Sequence, residues 1–325
     1  MAAILVRDVI DFNLYLKETH NKQFVKEAKS YAQSLKERLR NKVKQKVCYL
    51  PWEKSKPVFE FRQGEITLWA GVNGHGKSMM TAQAALSILG QGEKVCIASF
   101  EMKPVMTLQR MARNWIGINP FSPEFQEESG LEALDELYDK FCTWTDGKLW
   151  LYDETGTANF ATVIGMARYC AKELQIDHIF IDNLAKCVAG EDDMNGQKQF
   201  IDELTAIARD YKCHIHIVHH IRKLENERKK PGKNDLKGSG AIGDLADNIM
   251  IVFRNKDKED DVRNAGKFGK MANEPDQYLN CVKQRNYEGS IADEFELKLW
   301  FNMDSQLYTG EPNGKPLEFW NQWPH

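Results

Sequence analysis

The chain has 325 residues, of which 42% are hydrophobic and 28% charged, so we expect a folded protein of one or two domains. Its 44 Lys and Arg residues nearly balance 47 Asp and Glu residues, which excludes a basic field over the whole protein and restricts nucleic-acid contacts to local patches. No apolar run approaches the roughly 18 residues of a membrane span, and acids interrupt the first apolar stretch, so we expect no secretory signal.

The seven cysteines are widely spaced and form no CxxC pair. This spacing predicts neither a structural zinc site nor a disulfide framework, and it favours reduced thiols in a cytoplasm.

Residues 16–47 carry apolar side chains at steps of mostly three or four, which predicts an amphipathic helix. Between residues 16 and 46, ten Lys and Arg against three Glu give a net charge of +7. This helix either leans on its own domain, or docks on a neighbouring subunit or nucleic acid. Pro51 and Pro57 then predict a linker at about 48–58. We therefore expect an N-terminal helical extension (1–57), a main domain (58–310) and a C-terminal tail (311–325).

From residue 66 onward, short apolar strands alternate with helices, which indicates an α/β fold with a parallel sheet covered on both faces. Strands are predicted at 66–70, 95–100, 149–153, 178–182 and 214–219. Helices are predicted at 79–91, 105–116, within 122–139, at 159–175 and at 197–211. Three later strands, NIMIVF, YLNCVK and FELKLWF, predict an antiparallel extension of the same sheet, joined by turns.

Residues 71–78, GVNGHGKS, lie between the first strand and the first helix and match the P-loop pattern GxxxxGK[ST]. Its glycines let backbone N–H groups curl around phosphate oxygens, and the helix amino end adds partial positive charge. Lys77 is expected to reach the β- and γ-phosphates, and Ser78 to bind Mg²⁺. The predicted nucleotide-binding residues here are Asn73, Gly74, His75, Gly76, Lys77, Ser78 and Met79.

Polar residues also follow three later strands. Asp182 ends the strand at 178–182, where a P-loop ATPase needs a second carboxylate beside Mg²⁺. Glu101 follows the strand at 95–100 and is either the group that activates the attacking water or an acid at the surface rim. His219 and His220 either sense the γ-phosphate or are ordinary strand-end histidines. On the same strand, His214 and His216 are expected to be core or surface residues rather than zinc ligands.

Residues 221–237 carry seven Lys and Arg against three acids, a net charge of +4. Pro231, Gly232 and the glycines that follow predict a flexible loop rather than a helix. Such a loop suits the phosphates of single-stranded nucleic acid, although a charge run is more often simply solvated. The residues expected to bind DNA are Arg222, Lys223, Lys229, Lys230, Lys233, Lys237, Gly238, Ser239 and Gly240.

In the segment KQRN (283–286), Arg285 is either an arginine finger for a nucleotide on the adjacent subunit or a surface charge of an edge strand.

Taken in order, these segments resemble the RecA-like motor domain of hexameric replicative helicases, the DnaB family, over about residues 58–310. The likeness is strongest to the phage and mitochondrial Twinkle-like branch of the family, because a histidine stands where the DnaB branch has glutamine. The segments are GEITLWAGVNGHGKS (64–78), SFEM (99–102), the strands ending at Asp182 and at His219-His220, DLKGSGAIGDLADNIMIVFRN (235–255) and VKQRN (282–286).

The resemblance implies roles for individual residues. Glu101 matches the catalytic glutamate, His220 or its neighbour the γ-phosphate sensor, Arg285 the finger and Lys283 the lysine that reaches across with it. Arg254 matches an arginine near the base, and Phe301 or Trp300 is expected to stack on that base. The basic loop matches the loops that hold single-stranded DNA in the ring channel, and the N-terminal helix matches the linker helix that grips the next subunit.

The resemblance further implies a RecA-like P-loop ATPase core, with a mostly parallel central sheet and C-terminal antiparallel strands after a helical extension. The implied function is a ring-forming helicase, which we expect to be a hexamer.

It would couple hydrolysis of ATP or dTTP with Mg²⁺ at subunit interfaces to translocation on single-stranded DNA and unwinding of forked DNA, in a bacterial or phage-infected cytoplasm. Because only some 58 residues precede the motor, we expect a separate primase, polymerase or loader as partner.

Two alternatives remain at this stage. A RecA-like recombinase or recombination mediator shares the core, but the KQRN ending and the linker-like helix disfavour it. A nucleotide-switched replication scaffold is disfavoured by the presence of both Glu101 and Arg285, which a switch without turnover does not need.

Overall fold

The computed structural model describes residues 27–33, 36, 46–120, 122–154, 156, 158–188, 193–222, 224, 226, 228–237, 240–286 and 294–319. The strands in this part of the chain are β1 (Val47–Cys48), β2 (Phe61–Arg62), β3 (Ile66–Gly71), β4 (Val95–Ser99), β5 (Leu149–Leu151), β6 (His178–Asp182), β7 (His214–His220), β8 (Asn248–Arg254), β9 (Gln277–Gln284), β10 (Phe295–Asn302) and β11 (Leu307–Thr309). The α-helices are α1 (Lys77–Gly90), α2 (Pro104–Ile116), α3 (Pro123–Thr145), α4 (Phe160–Lys172), α5 (Met194–Tyr211), α6 (Gly240–Leu245) and α7 (Lys256–Ala265).

The main sheet has the strand order β11-β10-β9-β8-β3-β7-β6-β4-β5. From β8 to β5 all neighbouring strands are parallel, and β9, β10 and β11 extend the sheet antiparallel. The predicted α/β fold with a mostly parallel sheet and antiparallel C-terminal strands is therefore confirmed.

Strand β3 shows how the two faces of the sheet are covered. Ile66, Leu68 and Ala70 pack into the core formed with α4 and α5, whereas Trp69 packs into the core formed with α1, α2 and the segment before β2. All four side chains are buried. Full burial of an aliphatic side chain contributes about 1.5–3 kcal/mol. Burial of these side chains therefore stabilises the packing of helices on both faces of the sheet.

Three features of the chain differ from the sequence-based prediction. NIMIVF forms β8, which is parallel to β3, so the antiparallel part begins only at β9. Between β8 and β9 the chain forms α7 instead of a turn. Because α7 is rich in charged residues and only Lys258 is buried within it, it shows no apolar periodicity. Val47, expected in the N-terminal helix, lies in β1.

The segment predicted as a linker at 48–58 packs on the main domain. Cys48, Leu50 and Trp52 are buried, and the indole Nε1 of Trp52 donates a hydrogen bond to the carbonyl of Tyr308 at 2.9 Å. Most of the predicted N-terminal helix lies outside the described residues. The part that is described includes a 3-10 turn at Ala28–Tyr31. Among the described residues, no helix is both long and apolar enough to cross a membrane.

Candidate active site

The P-loop joins the carboxyl end of β3 to the amino end of α1. Gly74 and Gly76 have backbone φ angles of +78° and +82°, which disfavour side chains. A Cβ at Gly76 would lie 2.8 Å from the hydroxyl of Tyr308. Asn73 and Gly74 are exposed at the loop tip. The first N–H groups of α1 lack partners within the helix, so the loop forms an anion-binding arrangement.

Lys77 is buried at the base of this loop. Its Nζ donates hydrogen bonds to the carbonyl oxygens of Gly71 at 3.0 Å and Val72 at 3.1 Å. Burial lowers the pKa of Lys77 to about 8, and the negative charges of Asp182 and Glu101 oppose that fall. A phosphate oxygen would be a stronger, charge-assisted acceptor than either carbonyl.

Ser78 and Asp182 face each other beside the loop, with Ser78 Oγ donating to Asp182 Oδ2 at 2.9 Å. Burial raises the pKa of Asp182 to about 6, and the hydrogen bond from Ser78 opposes the rise. Hydroxyl and carboxylate oxygens are ligands that suit Mg²⁺, so this pair fits the predicted metal site. A cavity of about 260 Å³ adjoins the pair, and Met79 and Arg110 contribute to its lining.

Glu101, Asn183 and His220 form a connected group at the carboxyl ends of β4, β6 and β7, which are adjacent strands. Asn183 Nδ2 lies 2.5 Å from Glu101 Oε1 and 3.1 Å from His220 Nε2. His219 turns away, because its Nε2 donates to the carbonyl of Lys237 at 2.6 Å. The geometry thus brings His220, rather than His219, next to Asn183, which also contacts Glu101.

The sequence-based prediction missed Asn183. Its position one residue after Asp182 is the signal that was available, but an Asn there is also typical of a turn. Asn183 does cap a 3-10 turn, since its Oδ1 accepts a hydrogen bond from the N–H of Lys186 at 3.2 Å.

Arg254 and His75 lie against the tip of the P-loop. The guanidinium of Arg254 donates to the carbonyl of Gly74 at 3.4 Å and forms an ion pair with Glu259. The backbone N–H of Arg254 donates to Nδ1 of buried His75 at 3.3 Å. The end of β8 is therefore bonded to the loop that is predicted to hold the nucleotide.

Phe301 lies close to the P-loop through Tyr308, whereas Trp300 does not. The rings of Phe301 and Tyr308 have their centroids 5.2 Å apart, and Tyr308 is the residue beneath Gly76. The indole of Trp300 instead donates to the carbonyl of Asn273 at 3.0 Å. Of the two aromatic residues proposed for base stacking, Phe301 is thus the better placed.

Lys283 and Arg285 lie beside the amino ends of the parallel strands, whereas the P-loop lies at their carboxyl ends. Because β9 runs antiparallel to β8, its carboxyl end pairs with the amino end of β8, where Asn248 faces Gln284. At a rise of about 3.3 Å per residue, the length of β8 puts roughly 20 Å between this end and the P-loop. Neither side chain can reach a nucleotide bound to its own chain.

Both of these cations are bonded to the end of α6. Lys283 Nζ donates to the carbonyls of Gly243 at 2.9 Å, Asp244 at 2.8 Å and Ala246 at 2.6 Å. Arg285 forms an ion pair with buried Asp247 at 3.1 Å. Burial lowers the pKa of Lys283 to about 8, and the positive charges of Arg285 and Lys233 lower it further.

Several charges of the predicted DNA-binding loop are paired with acids. Within the loop, Arg222 pairs with Asp235 at 2.8 Å. Two other predicted DNA contacts pair with acids outside the loop, Lys230 with Glu296 at 2.7 Å and Lys233 with Asp244 at 3.0 Å. DNA would have to compete with these acids. Lys229 is exposed, and Lys237 is partly buried.

The loop is also more structured than predicted. A 3-10 turn covers Lys233–Asp235, and Gly240 begins α6. The predicted DNA contacts Lys223, Gly238 and Ser239 lie outside the described residues.

Three histidines are buried together at the amino edge of the sheet. His214 and His216 are core residues, and His178 of β6 stacks against both of them. His214 Nε2 bonds to Thr67 Oγ1 at 2.8 Å, and its Nδ1 donates to the carbonyl of Arg62 at 2.6 Å. Burial lowers the pKa values of all three histidines, that of His214 to about 4.

Beside this stack, Cys48, Glu93 and His178 bring possible metal-ligand atoms within 4.8 Å of one another. The ammonium group of Lys46 lies 2.5 Å from Glu93 and 2.9 Å from Asp177. The carboxylates are therefore balanced by an internal cation.

Comparisons with known proteins bear on the family and the fold of the chain. The family model of the DnaB-like helicase C terminal domain matches residues 57–305. The chain is 25% identical over 210 residues to a DNA helicase/primase of Enterobacteria phage T3, which covers 60% of this chain and 36% of that protein. It is 23% identical over 255 residues to the replicative DNA helicase DnaB of Helicobacter pylori (strain J99 / ATCC 700824), which covers 76% of this chain and 49% of that protein. The chain thus spans half or less of the length of these relatives.

Two solved structures share the fold. The first, described as an ATPase domain, superposes with a TM-score of 0.69 at 16% identity, covering 88% of this chain and 99% of that one. The second, a DnaB-like replicative helicase described with its interactions with primase, gives a TM-score of 0.68 at 15% identity and covers 88% and 67%. The family match spans most of the chain, so this protein belongs to the DnaB-like helicase C-terminal domain family, as its motifs predicted.

Proposed function

We propose that this chain is the motor of a ring-forming replicative DNA helicase. It hydrolyses ATP or dTTP at the interfaces of a homo-oligomer, moves along single-stranded DNA and unwinds forked duplexes. Membership of the DnaB-like family supports the proposal, and so do the relatives named as DNA helicase/primase and replicative DNA helicase. A primase, polymerase or loader acts with it in a bacterial or phage-infected cytoplasm.

The nucleotide is held by the P-loop and the amino end of α1. Lys77 exchanges its carbonyl acceptors for oxygens of the β- and γ-phosphates. Ser78 and Asp182 hold Mg²⁺, which neutralises charge on the phosphates. Arg254 and Phe301 lie on the side where the base binds.

Glu101 orients the attacking water and accepts its proton, while His220 contacts the γ-phosphate. Arg285 and Lys283 of the neighbouring subunit stabilise the negative charge that develops in the transition state. To do so, they must leave the carbonyls and the carboxylate that hold them in the single chain.

The observation that carries the proposal is the distance between Arg285 and the P-loop of its own chain. The two lie at opposite ends of the parallel strands, roughly 20 Å apart along β8. An arginine finger acts in contact with the phosphate, so the nucleotide that Arg285 serves belongs to another copy of the chain. Hydrolysis then depends on assembly around DNA, as a ring motor requires.

The basic loop contacts the DNA. Lys229, Lys230, Lys233 and Lys237 carry the charge that attracts phosphates, and their ion pairs with acids exchange for DNA phosphates. Contacts of this kind are independent of base sequence, which suits a motor that must move along any strand.

The first test is unwinding of a forked duplex by the purified protein with ATP or dTTP and Mg²⁺, beside a Lys77→Ala control. Unwinding by the unmodified protein alone is the expected result. DNA-stimulated hydrolysis without unwinding would favour the recombinase or mediator. Nucleotide binding without hydrolysis would favour the scaffold.

A further inference from the structure

Asn183 stands at the centre of the hydrolysis site and is 1% exposed. Strand β6 lies between β7 and β4, so the residue that follows β6 lies between the carboxyl ends of its two neighbours. Its side-chain nitrogen is within hydrogen-bond distance of both Glu101 and His220. A primary amide carries two N–H bonds, so one can serve each partner.

The orientation of this amide is fixed by its oxygen. Oδ1 accepts a hydrogen bond from the N–H of Lys186 at 3.2 Å, at the 3-10 turn that follows β6. A flipped amide would set its oxygen against the carboxylate of Glu101 and its NH₂ group against a backbone donor. Both contacts would be unfavourable, so the NH₂ group faces Glu101 and His220.

This orientation decides the role of His220. Because Asn183 donates, His220 Nε2 accepts and carries no proton in this arrangement. Phosphate oxygens at the γ position are acceptors, so a histidine that donates to them from Nε2 must give up its bond with Asn183. The contact between Asn183 and His220 is therefore sensitive to what His220 binds.

We propose that Asn183 is a positioning residue that couples His220 to Glu101, so that contact of His220 with the γ-phosphate changes how the Glu101 carboxylate is held. The proposal rests on the proposed function, in which Glu101 activates water and His220 contacts the γ-phosphate. Asn183 itself touches neither water nor nucleotide in this scheme.

Asn183→Asp separates this role from that of a turn cap. Aspartate keeps the acceptor for the N–H of Lys186 and caps as well as asparagine, but it lacks both N–H donors. We expect kcat of DNA-stimulated hydrolysis to fall about 100-fold, as for a misplaced catalytic group, with KM for nucleotide within about threefold. Asn183→Ser, which also caps but adds no charge beside Glu101, should lose kcat in the same way.

The matched control is Asn159→Asp, because Asn159 caps α4 through its own Oδ1, which accepts from the N–H of Ala161 at 2.8 Å. We expect this variant to keep the kcat of the unmodified protein. Thermal unfolding of all three variants checks that each is folded. A capping role alone would leave kcat unchanged at both positions and would overturn the proposal.

A double-mutant cycle tests the coupling itself. If Asn183 acts between His220 and Glu101, Asn183→Ser combined with His220→Ala should lose no more kcat than the more impaired single variant. Losses that multiply would mean that the two residues act independently, and would overturn the coupling.

Glu101→Gln and Lys77→Ala distinguish failure of this inference from failure of the proposed function. If both abolish hydrolysis while the Asn183 variants retain it, the function stands and the inference falls. If the unmodified protein does not hydrolyse nucleotide on DNA, both fall together.

Discussion

Glu101 is exposed at the mouth of the site, where its carboxylate is held by Asn183. Glutamine at this position keeps the size of the side chain and removes its ability to accept a proton. We expect Glu101→Gln to lower DNA-stimulated turnover on the order of 10³-fold, within the usual contribution of a general base. Nucleotide affinity should change little, because Lys77 and the P-loop remain. Phosphate release and titration with a fluorescent nucleotide measure the two quantities.

The control is Glu136→Gln, which changes an exposed glutamate on α3. It should turn over like the unmodified protein. Turnover of Glu101→Gln within a few-fold of that control would remove Glu101 from the chemistry.

The burial of His214 should make the free energy of unfolding depend on pH. Burial lowers its pKa from about 6.5 to about 4 in the folded protein, so the unfolded chain binds the proton more tightly. The stability from keeping His214 neutral is present above about pH 6.5 and is lost as pH falls through about 4. From this histidine alone, we expect a loss of about 3 kcal/mol between pH 7.5 and pH 4.

His214→Gln isolates this contribution, since glutamine can donate to the carbonyl of Arg62 and accept from Thr67 but does not titrate. The free energy of unfolding, measured by urea titration at several pH values, should fall less steeply in acid for the variant. Equal slopes in the two proteins would contradict the prediction.

At the residue scale, contiguous motifs could be predicted and lateral contacts could not. Lys77 and Ser78 are adjacent in the chain, and the P-loop pattern assigns both of them. Asn183 contacts Glu101, which is 82 residues away in the chain. His178 contacts His216, which is 38 residues away. No local pattern in the sequence shows which strand ends lie side by side.

At the scale of elements, the sequence predicts apolar strands more readily than charged helices. Strands β3, β4, β6 and β7 are short apolar runs, and their predicted bounds agree with the structure within one residue. Helix α7 has no apolar stripe, so its capping residue Asn255 was the available signal. The direction of β8 depends on its partner β3, which its own residues do not specify.

The pairing of Lys233 with Asp244 links the basic loop to α6 and gives two predictions of opposite sign. Lys233→Ala should weaken DNA binding and reduce the slope of log affinity against log salt by about one. Asp244→Asn frees Lys233 from its partner and should tighten DNA binding by up to about fivefold, the range of an exposed ion pair. Fluorescence anisotropy with labelled single-stranded DNA at several salt concentrations measures both.

Lys140→Ala serves as the control, since Lys140 is paired with Glu136 on α3 and lies outside the basic loop. It should bind DNA like the unmodified protein. If Asp244→Asn weakened binding as much as Lys233→Ala, the ion pair would be holding the loop in its binding conformation instead of competing with DNA.

At the scale of the whole molecule, the proposed function divides one catalytic unit between two copies of the chain. The carboxyl ends of the parallel strands carry the P-loop, Asp182 and Glu101. The opposite, amino ends of these strands lie beside Lys283 and Arg285. A head-to-tail contact between identical chains brings these two ends together, and repetition of that contact closes a ring or extends a helix. In the proposed assembly each contact forms one complete site, so we expect a single chain to be nearly inactive.

Mixing two inactive variants tests this division directly. Lys77→Ala removes the lysine proposed to bind phosphate, and Arg285→Ala removes the proposed finger, so each alone should hydrolyse little nucleotide. In an equal mixture assembled on DNA, about a quarter of the interfaces join an intact P-loop to an intact finger. We therefore expect the mixture to recover hydrolysis at up to about a quarter of the normal rate, measured as phosphate release. If Arg285 acted within its own chain, every subunit would still lack one group, and the mixture would remain as inactive as its components.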